Sequence, residues 1–138
     1  MTHRLAEVEA LTERIIGCAI EVHRTLGPGL LESVYRECMM IEMSEDHLRV
    51  QRERQIPLEY KGQRITSVLK LDLLVEGCVV VELKAVERLH PVHLAQVITY
   101  LKLTGCPAGL LMNFNSTTLR AGLRRLDHPD LYVNKKSS

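Results

Sequence analysis

The stretch VVVELKAV, residues 79–86, constrains the fold more than any other part of the chain. Its apolar residues are typical of a buried strand, yet Glu82 and Lys84 lie inside it. Because side chains alternate along a strand, these two charged residues share one face with Cys78 and Val80. A charge in apolar surroundings is costly unless it is paired or holds an ion. The stretch therefore predicts a strand that carries a polar site.

Two helices are predicted before this strand. Apolar residues at steps of three and four predict a helix over Leu5–Leu26, which Gly27-Pro28-Gly29 ends. The same periodicity predicts a second helix over residues 31–46. Because the segment between them is short and rich in glycine, we expect the two helices to form a hairpin.

After the second helix the apolar residues change to the period of strands. An extended segment is predicted over residues 50–60, a turn over residues 61–63 and a long strand over residues 64–75. Glu76-Gly77 is predicted to be a two-residue hairpin turn into a strand over residues 78–85. The three strands should therefore lie in a meander.

The last third of the chain predicts helix, strand and helix. A helix is expected over residues 91–103, ended by Gly105. The apolar segment 107–114 is expected to be a strand parallel to a neighbour, because a helix leads into it. A final helix is predicted over residues 117–126 and a polar tail over residues 134–138.

The composition is that of a single soluble domain spanning residues 1–138, with 46% hydrophobic and 25% charged residues. Nothing approaches the ~20 apolar residues that cross a membrane, and no secretory leader is evident. The four cysteines lack the close spacing of a zinc or redox motif, so small buried thiols and a cytoplasmic location are expected. The net charge of +1 provides no general attraction for nucleic acid, so any such binding needs a local basic patch.

A second acid lies on the strand before the Glu76-Gly77 turn. Counting back from a two-residue turn places Val75 opposite Cys78 and Asp72 opposite Val81, one step from Glu82. Two carboxylates about 5 Å apart repel each other by about 3 kcal/mol at an effective dielectric constant of 20. The pattern D-(x)9-E-x-K therefore predicts a site that attracts a cation.

Other polar residues are expected near these acids. Glu32, in the first turn of the second helix, supplies a third carboxylate, and three acids with one lysine suit Mg²⁺ or Mn²⁺. On the third helix, Gln96 and Tyr100 are four residues apart and share a face, with His93 one turn earlier.

Each of these features also has a purely structural explanation. Glu32 is suited to a helix N-terminus, and Asp72 and Glu82 with Lys84 are suited to an ion pair between strands. The polar residues of the third helix are equally explained as surface and core residues. A zinc site at His90 and His93 lacks a third nitrogen or thiolate ligand nearby.

Taken together, the motifs resemble a known family. GLLESVY, residues 29–35, matches a GxxExxY signature and is followed in order by YKG, LDLLVEGCVVVELKAVERL, AQVITYLKLTG and GLLMNFN. From about residue 11 to residue 126 the chain resembles the GxxExxY protein family, small bacterial and archaeal proteins placed in the PD-(D/E)XK nuclease superfamily. Gln96-x-x-x-Tyr100 is also similar to the QxxxY element of RecB-like nucleases.

The resemblance implies a restriction-endonuclease-like α/β fold, in which a mixed β-sheet with an αβββαβ core is flanked by helices, here with an N-terminal helical hairpin. It also implies a nuclease that hydrolyses phosphodiester bonds of DNA or RNA with Mg²⁺ or Mn²⁺. Carried over by position, Asp72 and Glu82 would bind the metal, with the carbonyl of Leu83 as a further ligand. Lys84 would orient or help deprotonate the attacking water and stabilise developing charge.

The remaining roles implied by the resemblance fall on the helices. Glu32 would hold the metal directly or through water, and Gln96 would position Lys84 or the nucleophile. Tyr100 and His93 would contact the substrate.

Two alternatives concern the whole protein. The chain could keep this fold as a non-catalytic interaction module in a nucleic-acid-processing assembly, or form a homodimer whose combined surface grips the substrate. A basic surface for nucleic acid is expected, if anywhere, on the last predicted helix and beside it, at Arg120, Arg124, Arg125 and Lys102.

Overall fold

The structure, a computed structural model, describes residues 5–131; the predicted polar tail at residues 134–138 lies outside the described residues. The helices are α1 (Leu5–Leu26), α2 (Glu32–Glu45) and α3 (Pro91–Thr104). The strands are β1 (Val50–Ile56), β2 (Glu59–Tyr60), β3 (Gln63–Arg64), β4 (Leu69–Val75), β5 (Val79–Lys84), β6 (Ala108–Asn113) and β7 (Leu123–Asp127).

Five strands form one mixed sheet in the order β1-β4-β5-β6-β7. β5 and β6 are parallel, and the other neighbours are antiparallel. α1 and α2 pack on one face of the sheet and α3 on the other, so that an apolar core lies on each side. The predicted mixed sheet flanked by helices, including the helical hairpin and the parallel strand after α3, is confirmed.

The turn between α1 and α2 is fixed by a tyrosine. Gly27 has a positive φ of 71°, and its N–H donates to the carbonyl of His23 at 2.7 Å. The hydroxyl of Tyr35 donates to the Gly27 carbonyl at 2.6 Å and accepts the N–H of Leu30 at 3.2 Å. The Tyr35 ring is stacked on Phe114, with 4.6 Å between centroids. These contacts fix the position at which α2 begins, and therefore the position of Glu32, its first residue.

The strand predicted over residues 64–75 is confirmed for residues 69–75, which form β4, but its first part is wrong. β1 ends before Pro57, which has no N–H for a ladder, and the chain leaves the sheet. β2 and β3 then form a separate two-stranded hairpin around Lys61 and Gly62, both with positive φ. The N–H of Ile65 donates to the carbonyl of Leu58 at 2.9 Å and closes this hairpin before β4 begins.

The predicted two-residue turn after β4 is also wrong. The turn contains three residues, Glu76, Gly77 and Cys78, because the N–H of Cys78 donates to the carbonyl of Val75 at 2.9 Å. Val75 is therefore paired with Val79 and not with Cys78. Cys78 lies in the core beside α1 and α2, and not on the face of Val80. The pairing of β4 with β5 is therefore shifted by one residue from the predicted register.

The helix predicted over residues 117–126 is wrong as well. A single 3₁₀ turn at Arg120–Gly122 leads into β7, which pairs with β6. All six residues of β6 are buried, and a strand at this edge satisfies backbone groups that a helix would leave unpaired. Gly122 permits the sharp return, since a Cβ there would clash with the side chain of Ser116. Tertiary pairing thus overrides local helical preference.

No helix within residues 5–131 is long and apolar enough to cross a membrane. The four cysteines are free thiols, and all except Cys38 are buried, as expected from their apolar neighbours.

Candidate active site

The sheet opens between its second and third strands. β4 and β5 are paired from the turn only as far as Leu73 and Val81, whereas β1 stays paired with β4, and β5 with β6, beyond this point. We call this opening the fork. Asp72 and Glu82 are the next residues on the two strands, and the register places them opposite each other.

At the fork, carboxylates take the place of backbone carbonyls. Oε2 of Glu82 accepts the backbone N–H of Asp72 at 2.7 Å, and Oδ2 of Asp72 accepts the backbone N–H of Leu83 at 2.9 Å. Each carboxyl group thus provides a partner for a backbone N–H at the point where the strands separate, which holds both acids there.

The strand alternation breaks at the same level of the sheet. Leu71 and Leu73 should share a face, yet Leu71 lies in the core beside α3 and Leu73 in the core beside α1 and α2. On β1, Glu53 lies level with Asp72 between two regular pairs, and its φ is 49°. A non-glycine residue in this region is uncommon and often marks a functional site. The irregular positions in β4 and β1 are therefore Asp72 and the residue opposite it, Glu53.

Glu82 is the more deeply buried of the two acids, with 4% of the residue exposed. Its pKa is raised to about 8, mainly by burial and then by the charge of Asp72, against the opposing effects of the Asp72 N–H and Lys84. Among the described residues only its Oε2 is hydrogen-bonded. A second negative charge beside Asp72 is therefore unfavourable in the metal-free protein, and a bound cation would favour the ionised form of Glu82.

The sequence analysis missed Arg36. Its Nη2 donates to Oδ1 of Asp72 at 3.2 Å, and its Nη1 lies 3.9 Å from Oε1 of Glu53. Only 15% of the Arg36 side chain is exposed, and its buried Nε has no hydrogen-bond partner. One signal was present in the sequence, because Arg36 follows Glu32 by four residues and so projects from the same face of α2.

Lys84 is half-buried at the end of β5. Among residues 5–131 its ammonium group makes no ion pair or hydrogen bond. Its charge nevertheless lowers the pKa of Glu82 and of His93, so it lies close to both. The charge of Glu32 raises the pKa of the same two groups. The charges of Glu32, in the first turn of α2, and of Lys84, at the end of β5, therefore act on both Glu82 at the fork and His93 in α3.

His93 lies in the first turn of α3. Its Nδ1 accepts the backbone N–H of His90 at 3.0 Å, which places the ring proton of the neutral imidazole on Nε2. Partial burial lowers the pKa of His93, and Lys84 and His90 lower it further. His93 is therefore a neutral hydrogen-bond donor at physiological pH.

The other two predicted residues of α3 occupy contrasting environments. Tyr100 is 5% exposed in the core between α3 and the sheet, and burial raises its pKa, with further contributions from Glu82 and Asp72. Gln96 is exposed, and its side chain makes no hydrogen bond to the described residues. Contact of either residue with a substrate stays a prediction.

The residues at the fork fit a hard divalent cation by their chemistry. Asp72 and Glu82 offer carboxylate oxygens, each with lone pairs beyond those already used, and the backbone carbonyl of Leu83 is adjacent in sequence. Within residues 5–131 no group of three or more acidic, histidine or cysteine side chains is arranged as a complete metal site. Any ion held here would therefore depend on two close carboxylates together with more distant donors or water.

The mixed sheet thus opens at an acid pair, with Glu-x-Lys on its central strand. Residues 9–126 match the family model of the PD-(D/E)XK nuclease superfamily, and the chain belongs to this superfamily. No curated protein and no solved structure matches the chain significantly.

Proposed function

We propose that the protein is a metal-dependent nuclease that hydrolyses phosphodiester bonds of nucleic acid at the fork. The observation that carries the proposal is the direct engagement of Asp72 with Glu82, beside a lysine whose ammonium makes no ion pair among residues 5–131. A buried acid with a raised pKa next to a second acid and a cation is typical of a functional site.

In this proposal Asp72 and Glu82 hold Mg²⁺ or Mn²⁺, with the carbonyl of Leu83 as a further ligand. Glu32, the first residue of α2, completes the donor set directly or through water. When bound, the ion acts as a Lewis acid toward phosphate oxygens and makes a neighbouring water more acidic.

The remaining residues act on the substrate and the water. The ammonium of Lys84 donates to a phosphate oxygen or to the attacking water and stabilises the charge that develops on phosphorus. Nε2 of His93 donates to a second phosphate oxygen, because its Nδ1 is already used as an acceptor. Gln96, exposed on the same helix, positions Lys84 or the nucleophile, and Tyr100 supports the site from the core.

The test combines metal binding by calorimetry with a cleavage assay on mixed DNA and RNA. The wild type should bind Mn²⁺ and cleave, whereas Asp72→Asn and Glu82→Gln should lose both properties. Glu37→Gln removes one exposed acid from α2 and should retain them, so it controls for the change in net charge. A folded wild type that neither binds metal nor cleaves would contradict the proposal.

One observation favours a second candidate, a non-catalytic interaction module. Asp72 is already balanced by Arg36 and by the N–H of Leu83, an arrangement that stabilises the fold without an ion. In that case Lys84→Ala would lower the melting temperature and there would be no metal-dependent activity to lose. Stability and cleavage measured on the same Lys84→Ala sample therefore separate the two functions.

A further inference from the structure

Charge is distributed unevenly along the chain. Residues 49–70 carry six of the 18 basic residues but only two of the 17 acidic residues, so the rest of the chain has an excess of acids. The six are Arg49, Arg52, Arg54, Lys61, Arg64 and Lys70. This segment contains β1 and the β2–β3 hairpin. The near-neutral net charge of the protein therefore conceals a local basic surface.

The β2–β3 hairpin projects from the main sheet. Its two strands pair only with each other, and residues 59–64 are all exposed. At its tip Tyr60 is 63% exposed, and the Lys61 ammonium lies 5.5 Å from the centroid of the Tyr60 ring. An exposed aromatic residue beside a cation, on a two-stranded ribbon, is a feature that the core of the fold does not require.

Most of the basic side chains here are not balanced by acids. Arg49 pairs with Glu76 at 3.4 Å, and Arg54 is hydrogen-bonded to the neutral Gln51. The remaining four basic residues make no ion pair with any residue in the described part of the chain: Arg52, Lys61, Arg64 and Lys70. Unbalanced exposed cations are available to bind phosphates.

The basic surface adjoins the fork. The hairpin is inserted between β1 and β4, and Leu69, the first residue of β4, lies about 10 Å from Asp72 by the rise of a strand. An open groove of about 520 Å³ lies at the hairpin base, where Gln55, Arg64 and Thr66 contribute polar groups. β1, β4 and the hairpin thus form one side of the opening that leads to the acids.

We propose that this hairpin, together with Arg52 and Lys70, is a docking arm that holds duplex DNA beside the fork; the inference rests on the proposed nuclease function. A two-stranded β-ribbon fits the major groove of B-form DNA, which is about 12 Å wide, whereas the major groove of A-form RNA is too deep and narrow. Binding to single strands relies on stacked aromatic residues, and the hairpin has only Tyr60. Arginine and lysine contacts to phosphates carry the binding energy.

The docking arm is tested with a double variant, Lys61→Gln/Arg64→Gln, and a matched control, Arg14→Gln/Arg24→Gln. The control removes the same charge from two exposed residues of α1, outside the arm. Binding to a labelled DNA duplex of about 20 base pairs is followed by fluorescence anisotropy, in EDTA and again in Ca²⁺. The arm variant should bind about tenfold more weakly, with the slope of log K against log salt reduced by about 2, and the control should bind like the wild type. Unchanged melting temperatures show that both variants are folded.

Several results would overturn the inference. One is that the arm variant binds duplex DNA as tightly as the wild type, and another is that the control loses as much affinity as the arm variant. The inference would also fail if the wild type bound single-stranded DNA or duplex RNA more tightly than duplex DNA, or if it did not bind duplex DNA at all. Hydrolysis of bis(para-nitrophenyl) phosphate by the wild type with Mn²⁺ reports on the proposed function alone, because this diester is too small to reach the arm. A wild type that binds duplex DNA through the arm but hydrolyses no diester would contradict the nuclease and uphold the arm.

Discussion

Arg36 in α2 holds Asp72 in β4, with 3.2 Å between Nη2 and Oδ1. The same guanidinium approaches Glu53 of β1, so one helical residue joins the two strands that form one side of the fork. Because both charged side chains are largely buried, the pair fixes the Asp72 carboxylate without much competition from water. We infer that Arg36 is a positioning residue for the acid and has no direct contact with a substrate.

Replacing Arg36 by methionine should destabilise the metal-free protein. The change leaves the Asp72 carboxylate partly buried and without its cation, which is expected to lower the free energy of unfolding by about 1–3 kcal/mol. If an ion binds at the fork, saturating Mg²⁺ should restore part of this loss, because the ion then balances Asp72. Urea denaturation in EDTA and in Mg²⁺ measures both values.

Arg24→Met provides the comparison for this variant. Arg24 pairs with Glu21 at 2.7 Å, but its side chain is 70% exposed, so the substitution should leave stability close to that of the wild type under both conditions. A loss in Arg36→Met that Mg²⁺ leaves unaltered would show that the ion does not share Asp72 with the guanidinium.

The raised pKa of Glu82 predicts how stability depends on pH when metal is absent. The ordinary pKa is 4.5 and the folded value is about 8, so between these values the folded protein binds more protons than the unfolded chain. The free energy of unfolding should therefore decrease as the pH rises from about 4.5 to about 8, by a few kcal/mol at most, and level off above that range. Denaturation at a series of pH values in EDTA measures this slope.

The Glu82→Gln variant isolates the contribution of this one carboxyl group. The amide keeps the shape of the side chain but cannot ionise, so the variant should be more stable than the wild type at pH 8 and should lose most of the downward slope. An identical pH profile in the two proteins would mean that Glu82 titrates normally and that its burial is relieved in solution.

The pairing of Asp72 with Glu82 illustrates what a sequence of this kind predicts and what it does not. The acids were identifiable because charged residues inside apolar strands are rare, and their proximity followed from a short turn between antiparallel strands. Their direct alignment was not, because it depends on the extra residue Cys78 in the turn. A hydrogen bond within a turn shifts the register of a whole strand, and local residue types do not encode it strongly.

Contacts between elements distant in the chain were harder to predict. Arg36 meets Asp72 and Glu53 only after α2 has packed against the sheet, and nothing in the local sequence specifies that approach. The helix predicted in place of β7 is wrong for a similar reason, since the strand is imposed by the open edge of β6. Elements with strong internal periodicity and clear end signals, such as α1 and α3, were predicted well.

Metal binding at the fork predicts a specific change in thermal stability. An ion that binds only the folded protein stabilises it by about 2.7 kcal/mol at a concentration of 100 times its Kd. The melting temperature of the wild type should therefore rise with added Mn²⁺ or Mg²⁺, in proportion to the logarithm of the metal concentration once this exceeds the Kd. The variant Asp72→Asn/Glu82→Gln should show no such rise, whereas Glu37→Gln should match the wild type.

Tyr35, the tyrosine of the GLLESVY motif, is expected to serve the fold and not the chemistry. Its hydroxyl bonds the carbonyl of Gly27 and the N–H of Leu30, and its ring is fully buried against Phe114. Tyr35→Phe should keep the ring packing and lose the two hydrogen bonds, which lowers the free energy of unfolding by about 1–2 kcal/mol. Thermal denaturation measures the loss.

Tyr60→Phe is the natural control, because it removes a hydroxyl from an exposed ring and should leave stability within about 0.5 kcal/mol of the wild type.

The effects on activity should distinguish Tyr35 from Glu32, the other functional residue of the GLLESVY motif. If Tyr35 only fixes the turn before α2, its loss should reduce metal affinity modestly through the placement of Glu32, whereas Glu32→Gln should reduce affinity with little loss of stability. Abolished cleavage in a Tyr35→Phe protein of normal stability would instead place the tyrosine in the catalytic machinery.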